Sequence, residues 1–162
     1  MATITLKGSS IHTSGELPKA GSPAPNFELT SRTLEDLSLE SFGKKRKLLN
    51  IFPSIDTSVC QAAYHHLFEQ WKAKEGLILL NISADLPFAL DRFCDKEAIV
   101  LSAFRSSFAA DYGVEIVDGP LRGLCARAVV LLNEENKVVY TELVPEIAQE
   151  PNYAEIDKII SN

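Results

Sequence analysis

The chain is poor in cysteine, methionine and tryptophan, with three, one and one among 162 residues. Three cysteines are too few, and too odd in number, for the disulfide framework of a small secreted domain, and an unpaired thiol fits a reducing compartment. No two of them form CxxC, so the motif that a dithiol reductase normally needs is missing. No stretch approaches the roughly 18 apolar residues of a membrane span. The start, Met1-Ala2-Thr3-Ile4-Thr5-Leu6-Lys7-Gly8, lacks the apolar run of a signal peptide, and these absences predict a cytoplasmic protein. An excess of basic charge is also missing. A net charge of −6 argues against nucleic acid or an anionic membrane as partner, leaving a small molecule or another protein. Metal-ligand spacing is absent too: the cysteines are scattered, and the adjacent His65 and His66 would project about 100° apart on a helix, so no metal is expected.

What is present suits one α/β domain. With 46% hydrophobic residues, a chain of 162 can bury roughly 70% of its unfolded surface, and we expect a single domain over 1–162 with residues 1–16 as a hairpin extension. Residues 2–13 alternate around Gly8-Ser9 as a β-hairpin, and Ser14 to Asn26, rich in Pro and Gly, reads as an extended connection. A second short hairpin follows over Phe27–Thr30 and Leu37–Leu39. Lys44-Lys45-Arg46-Lys47 is expected to be a solvated basic loop before a core strand, Leu48–Phe52.

Helical periodicity then begins at Ser58, with Ala63, Leu67, Phe68 and Trp71 on one stripe. Leu77–Ser83 reads as a strand, Pro87 opens a helix running to Lys96, Ile99–Leu101 is a short strand and Phe104–Tyr112 a helix closed by Gly113. Strands at 126–132 and 137–143 flank the turn Asn133-Glu134-Glu135-Asn136, and Tyr153–Ile160 supplies the last helix. This order predicts a thioredoxin-like sheet with helices on both faces.

Cys60 falls where the strand at Leu48–Phe52 gives way to the helix at Ser58. A helix N-terminus carries unpaired N–H groups and partial positive charge, which favour the thiolate. On position alone, an inert buried cysteine is an equal alternative. Arg127, within Ala126-Arg127-Ala128-Val129-Val130, is an unusual choice for a core strand because charge is rarely buried unpaired. By itself it reads as readily as an edge-strand arginine reaching solvent or as half of a structural ion pair.

Pro53, Thr57 and Cys60 reproduce the PxxxTxxC motif of peroxiredoxins. Asn50-Ile51-Phe52-Pro53-Ser54-Ile55-Asp56-Thr57, Ile82-Ser83-Ala84-Asp85-Leu86-Pro87-Phe88-Ala89 with Arg92-Phe93-Cys94, and Asp118-Gly119-Pro120-Leu121 with Ala126-Arg127-Ala128-Val129-Val130 resemble the bacterial thiol peroxidase branch, the atypical two-cysteine peroxiredoxins. The resemblance spans nearly the whole chain. It implies a peroxidase for alkyl hydroperoxides and hydrogen peroxide, with Cys60 as peroxidatic nucleophile and Cys94 as resolving cysteine. It further implies that Arg127 acts on the sulfur, that Pro53 walls it from water, and that Thr57 bonds both peroxide and thiolate, besides a possible part as N-cap. The implied reductant is thioredoxin, the implied assembly a homodimer, and no cofactor is required.

Phe104, Phe108 and Tyr112 offer an interface stripe, although such spacing equally describes a core face. The apolar Phe52, Ile55, Val59 and Phe88 favour alkyl hydroperoxides. A disulfide needs Cα atoms within about 7 Å, so the segments around Cys60 and Cys94 are expected to unwind during turnover. Two other readings share these residues: a peroxide sensor that passes oxidation to a protein target, and a non-catalytic thioredoxin-like binding domain. Cys125 has no counterpart in the resemblance and reads as an inert thiol. Cys125→Ser is accordingly expected to leave peroxide turnover unchanged in a steady-state assay, and a fall in turnover would make Cys125 a second resolver.

Overall fold

The computed structural model describes all 162 residues. The chain enters through the hairpin that the alternation predicts, with β1 (Thr3–Leu6) antiparallel to β2 (Ser9–His12) and Ile4 opposite Ile11. Lys7 and Gly8 turn it with φ of 49° and 85°, the left-handed pair that a tight hairpin requires. After the extended connection come β3 (Leu29–Ser31), β4 (Asp36–Leu37), a 3-10 turn at Leu39–Phe42, and β5 (Arg46–Ile51). The remainder is α1 (Ser58–Trp71), β6 (Leu77–Ser83), α2 (Pro87–Phe93), β7 (Ile99–Ser102), α3 (Phe108–Asp111), β8 (Ala128–Leu132), β9 (Val138–Leu143) and α4 (Tyr153–Ser161). No helix is long and apolar enough to cross a membrane.

Seven strands form one mixed sheet in the order β4-β3-β7-β6-β5-β8-β9. β5, β6 and β7 are parallel, while β8 runs antiparallel to β5. Alternation along the central strands splits the core in two. Leu49, Ile51, Leu80, Ile82, Ala128 and Val130 pack on one side with Ile4 and Ile11 of the hairpin, Phe27, Phe108 and Tyr112. Leu48, Phe52, Leu79, Val129 and Leu131 pack on the other with Tyr64, Leu67, Phe68 and Trp71 of α1, Leu90 of α2, and Ile156 and Ile160 of α4. Each fully buried large side chain in these layers contributes roughly 1.5–3 kcal/mol. The expected sheet flanked on both faces is present, and α1 buries the predicted stripe plus Tyr64.

Three local expectations are corrected. The basic run is not wholly a solvated loop: Arg46 and Lys47 open β5, and Lys47 is fully buried. Its ammonium donates to the carbonyls of Gly43 and Lys45 and to Asn136 Oδ1 at 2.8–3.0 Å, which satisfies all three of its protons. The helix expected over Phe104–Tyr112 is only Phe108–Asp111. Ser102 and Ser106 hydroxyls accept the N–H groups of Phe104 and Phe108 and hold the preceding residues in turns. As a result the stripe divides, with Phe108 and Tyr112 stacked in the core and Phe104 exposed. Finally, α2 ends at Phe93, and Cys94 is its cap with extended backbone.

Gly113 closes α3 as expected, with φ 69°, and lies where the extended connection crosses it. A Cβ there would stand 2.2 Å from the Glu16 carbonyl oxygen. Gly113→Ala therefore meets backbone as well as an unfavourable φ, and is expected to lower stability by more than about 1 kcal/mol in urea unfolding.

Candidate active site

Pro53 cannot donate an N–H, so the last bond of β5's run along β6 is Phe52 N–H to the Ile82 carbonyl at 3.1 Å. The chain then folds into a tight turn. The Ser54 carbonyl accepts both the Thr57 N–H at 3.2 Å and the Thr57 hydroxyl at 2.9 Å. Thr57 is the N-cap of α1, and the first intrahelical bond runs from the Gln61 N–H to its carbonyl at 3.0 Å. Its side chain makes no capping bond, and its proton goes to the Ser54 carbonyl rather than to the Cys60 sulfur as expected. Cys60 is the third helical residue, among the N–H groups that have no intrahelical acceptor, and has no exposed surface.

Arg127 lies one residue before β8. Register brings it to the sulfur, because Ala128 sits opposite Ile51 at the end of β5. Its NH1 donates to Cys60 Sγ at 3.3 Å, while Nε and NH2 both donate to the Ile147 carbonyl, at 3.0 and 2.8 Å. The residue is 2% exposed, so it is neither an edge arginine reaching solvent nor, since no carboxylate pairs with it, half of a structural ion pair. A buried guanidinium without an anion is costly, and Cys60 is the one ionisable group to which it hydrogen-bonds.

A pocket of about 290 Å³ opens beside this pair, with Cys60 itself outside its lining. Pro53, Thr57 and Arg127 line it together with Leu6, Lys7, Val59, Leu121 and Ile147. Of the four apolar residues expected around the substrate, only Val59 belongs to this lining. Phe52 and Ile55 are buried in the core and Phe88 is exposed on α2. The apolar wall comes instead from the hairpin, residues 121–124 and Ile147, segments distant in sequence from Cys60.

All three cysteines are free. Cys94 is buried on the same side of the sheet as Cys60, and burial pushes its thiol up to about 12, against the pull of the Arg32 guanidinium and the Tyr64 hydroxyl. Such a thiol is protonated at neutral pH and is a poor nucleophile where it stands. The segment after it is pinned. Arg32 donates to the Asp95 and Ala98 carbonyls at 2.8 Å, and the Tyr64 hydroxyl both donates to Asp95 Oδ2 at 2.6 Å and accepts the Asp95 N–H at 2.8 Å. Cys125 lies in the opposite core layer, where burial likewise raises it to about 12. His65 and His66 are exposed on α1, His65 beside Phe93 and His66 stacked on Tyr153.

Asp85 carries more of the site than its sequence position suggests. Its carboxylate accepts the Ser54 hydroxyl at 2.7 Å, the Ile55 N–H at 2.8 Å and the Ser83 hydroxyl at 2.6 Å. It thereby fastens the turn before Cys60 to the end of β6. The available signal was an acidic residue just past the carboxyl end of a parallel strand, where open α/β sheets place their functional groups.

The Redoxin family model matches residues 19–156. The chain is 54% identical over 157 residues to the thiol peroxidases of Mycobacterium tuberculosis and Mycobacterium bovis, covering 94% of this chain and 94% of each relative. Among solved structures, a peroxiredoxin-like protein from Aquifex aeolicus superposes with a TM-score of 0.93 at 34% identity, covering 99% of this chain and 96% of that one. A thiol peroxidase from Chromobacterium violaceum shares the fold, with a TM-score of 0.86 at 24% identity over 98% and 95% of the two chains.

Asp85→Ala leaves the Ile55 N–H and two hydroxyls without their acceptor. It is expected to cost about 1–3 kcal/mol in urea unfolding and to speed amide exchange at Ile55, with Asp85→Asn falling between.

Proposed function

The chain belongs to the redoxin family, among its thiol peroxidases of the peroxiredoxin type, and on that premise we propose that Cys60 reduces hydroperoxides and is then resolved by Cys94. The observation that carries this reading is the buried Arg127, which donates to the Cys60 sulfur and pairs with no carboxylate. Its charge lowers the cost of forming the thiolate and of leaving it buried. The α1 N-terminus adds partial positive charge on the other side.

In the first step the Cys60 thiolate attacks the terminal oxygen of the hydroperoxide. An S–O bond forms as the O–O bond breaks, and the alkoxide leaves and takes up a proton as the alcohol. Arg127 has five N–H donors and uses three on Cys60 and Ile147, so two remain for the oxygens as charge passes from sulfur to the leaving group. The Thr57 hydroxyl, with its proton on Ser54, presents lone pairs that can accept the peroxide O–H. Pro53 offers neither donor nor water site beside the sulfur. Cys60 becomes a sulfenic acid.

Resolution is condensation: the Cys94 sulfur bonds to Cys60 and water leaves. A protonated, buried Cys94 behind the Arg32 and Tyr64 contacts cannot do this in place, so the ends of α1 and α2 unwind to bring the sulfurs together. Thioredoxin then reduces the disulfide by exchange through a mixed disulfide. The chain acts as a single domain whose 1–16 hairpin extension lines the pocket through Leu6 and Lys7, and cytoplasmic residence and a homodimeric assembly complete the reading. The apolar wall of Leu6, Val59, Leu121, Leu124 and Ile147 favours alkyl hydroperoxides over hydrogen peroxide.

The test is the intact mass and disulfide map of reduced protein after one equivalent of cumene hydroperoxide, beside Cys94→Ser. Loss of two hydrogens with a Cys60–Cys94 bridge is expected, replaced by sulfenic or higher acids on Cys60 in the variant. An unmodified Cys60 would defeat the proposal, and a bridge to Cys125 would replace the resolver.

A further inference from the structure

The N-terminal hairpin lines the pocket through Leu6 and Lys7, and it is also attached to the segment that holds Arg127. The Thr5 N–H donates to the Pro145 carbonyl at 2.8 Å, and the Ile147 N–H donates to the Thr5 carbonyl at 2.9 Å. Between these two bonds stands Glu146. One of its carboxylate oxygens accepts the Thr5 hydroxyl at 3.0 Å and the Gly8 N–H at 2.9 Å, and the other accepts the Ala148 N–H at 2.7 Å. Its carboxylate therefore spans from the turn of the hairpin to the residue after Ile147. Ile147 is itself 5% exposed and packs in the core with Ile4 and Ile11 of the hairpin.

Ile147 is the point where this anchorage meets the chemistry. Its N–H faces the hairpin, and its carbonyl accepts two of Arg127's three bonds. Nε and NH2 share that single oxygen, so its direction sets the orientation of the rigid guanidinium fork and the 3.3 Å approach of NH1 to Cys60. We infer that Glu146 is a positioning residue for the reaction: through the hairpin and the Ile147 carbonyl it aims Arg127 at Cys60 and so sets the acidity of the thiol. The inference rests on the reading of Arg127 as partner of the Cys60 thiolate.

Glu146 takes part in no ion pair, and its bonds come from neutral donors. The N–H groups of Ala148 and Gly8 hold its carboxyl down to about 2. An acid depressed by folding adds stability above its unfolded value, near 4.5, and loses it as the pH falls through about 2. The anchor is thus unchanged across the range in which a cysteine titrates.

The experiment is the pH dependence of Cys60 alkylation by iodoacetamide, in full-length protein carrying Cys94→Ser and Cys125→Ser so that one thiol remains. Glu146→Ala is expected to raise the Cys60 pKa by about one unit, a tenfold loss of thiolate at a pH below it. Glu146→Gln, which keeps an acceptor for Thr5 and Gly8 but not for Ala148, falls between. Thr5→Val removes a single hydroxyl and keeps the backbone bridge, so it provides a folded variant with a smaller shift of the same sign. Added to Arg127→Gln, Glu146→Ala should produce no further shift. A lowered melting temperature with an unmoved thiol pKa, or an equal shift with and without Arg127, would overturn the inference and leave Glu146 a structural staple. If Arg127→Gln alone leaves the pKa unmoved, the reading of Arg127 fails first and takes the inference with it.

Discussion

A guanidinium buried without a carboxylate is the constraint around which this molecule is arranged. Arg127 donates to one backbone carbonyl and one sulfur, and the ordinary answer to a buried cation, an acidic side chain, is missing. The carbonyl of Ile147 offsets part of the desolvation and fixes the fork. The sulfur of Cys60 takes the remaining bond, from NH1.

Bringing that pair together takes four separate stretches of chain. β5 delivers the turn and the first residues of α1, and β8, antiparallel beside it, delivers Arg127 at the same end of the sheet. β6 delivers Asp85, which holds the turn through the Ser54 hydroxyl and the Ile55 N–H. The loop at 145–148, bridged to β1, delivers the Ile147 carbonyl. Each contribution is short, but all are fixed by hydrogen bonds to backbone or to buried side chains. That is the rigidity which charge stabilisation at a fixed point needs.

The three cysteines show how environment divides one residue type into different parts. Cys60 has a cation and a helix N-terminus. Cys94 shares its side of the sheet but is held protonated by burial, with the segment after it pinned by Tyr64 and Arg32. Cys125 lies beyond the sheet in the other core layer, with no cation beside it. The sheet itself is the partition. Alternation along β5, β6 and β8 decides which side each neighbouring group faces, and thus which thiols share a compartment.

Much of this was legible in the sequence. The apolar runs at 48–52, 77–83 and 126–132 and the helical stripe after Ser58 are local patterns, and the strands and α1 formed close to where those patterns place them. The spacing of Pro53, Thr57 and Cys60 is local too, so the turn and the first-turn cysteine were readable in advance. Local pattern failed where particular side-chain hydrogen bonds overrode it. Lys47 is buried because Gly43, Lys45 and Asn136 supply acceptors, and residues 104–107 are not helical because serine hydroxyls capture the N–H groups. The apolar wall of the pocket, the clamp of Asp85 on the turn and the carbonyl behind Arg127 were decided by tertiary structure alone. Each depends on residues tens of positions apart meeting in space, and no one-dimensional period records which carbonyl a buried arginine will find. The sequence by itself determined that a cysteine would sit at a helix start in an α/β sheet; the folded chain decided that the helix start would face an unpaired cation.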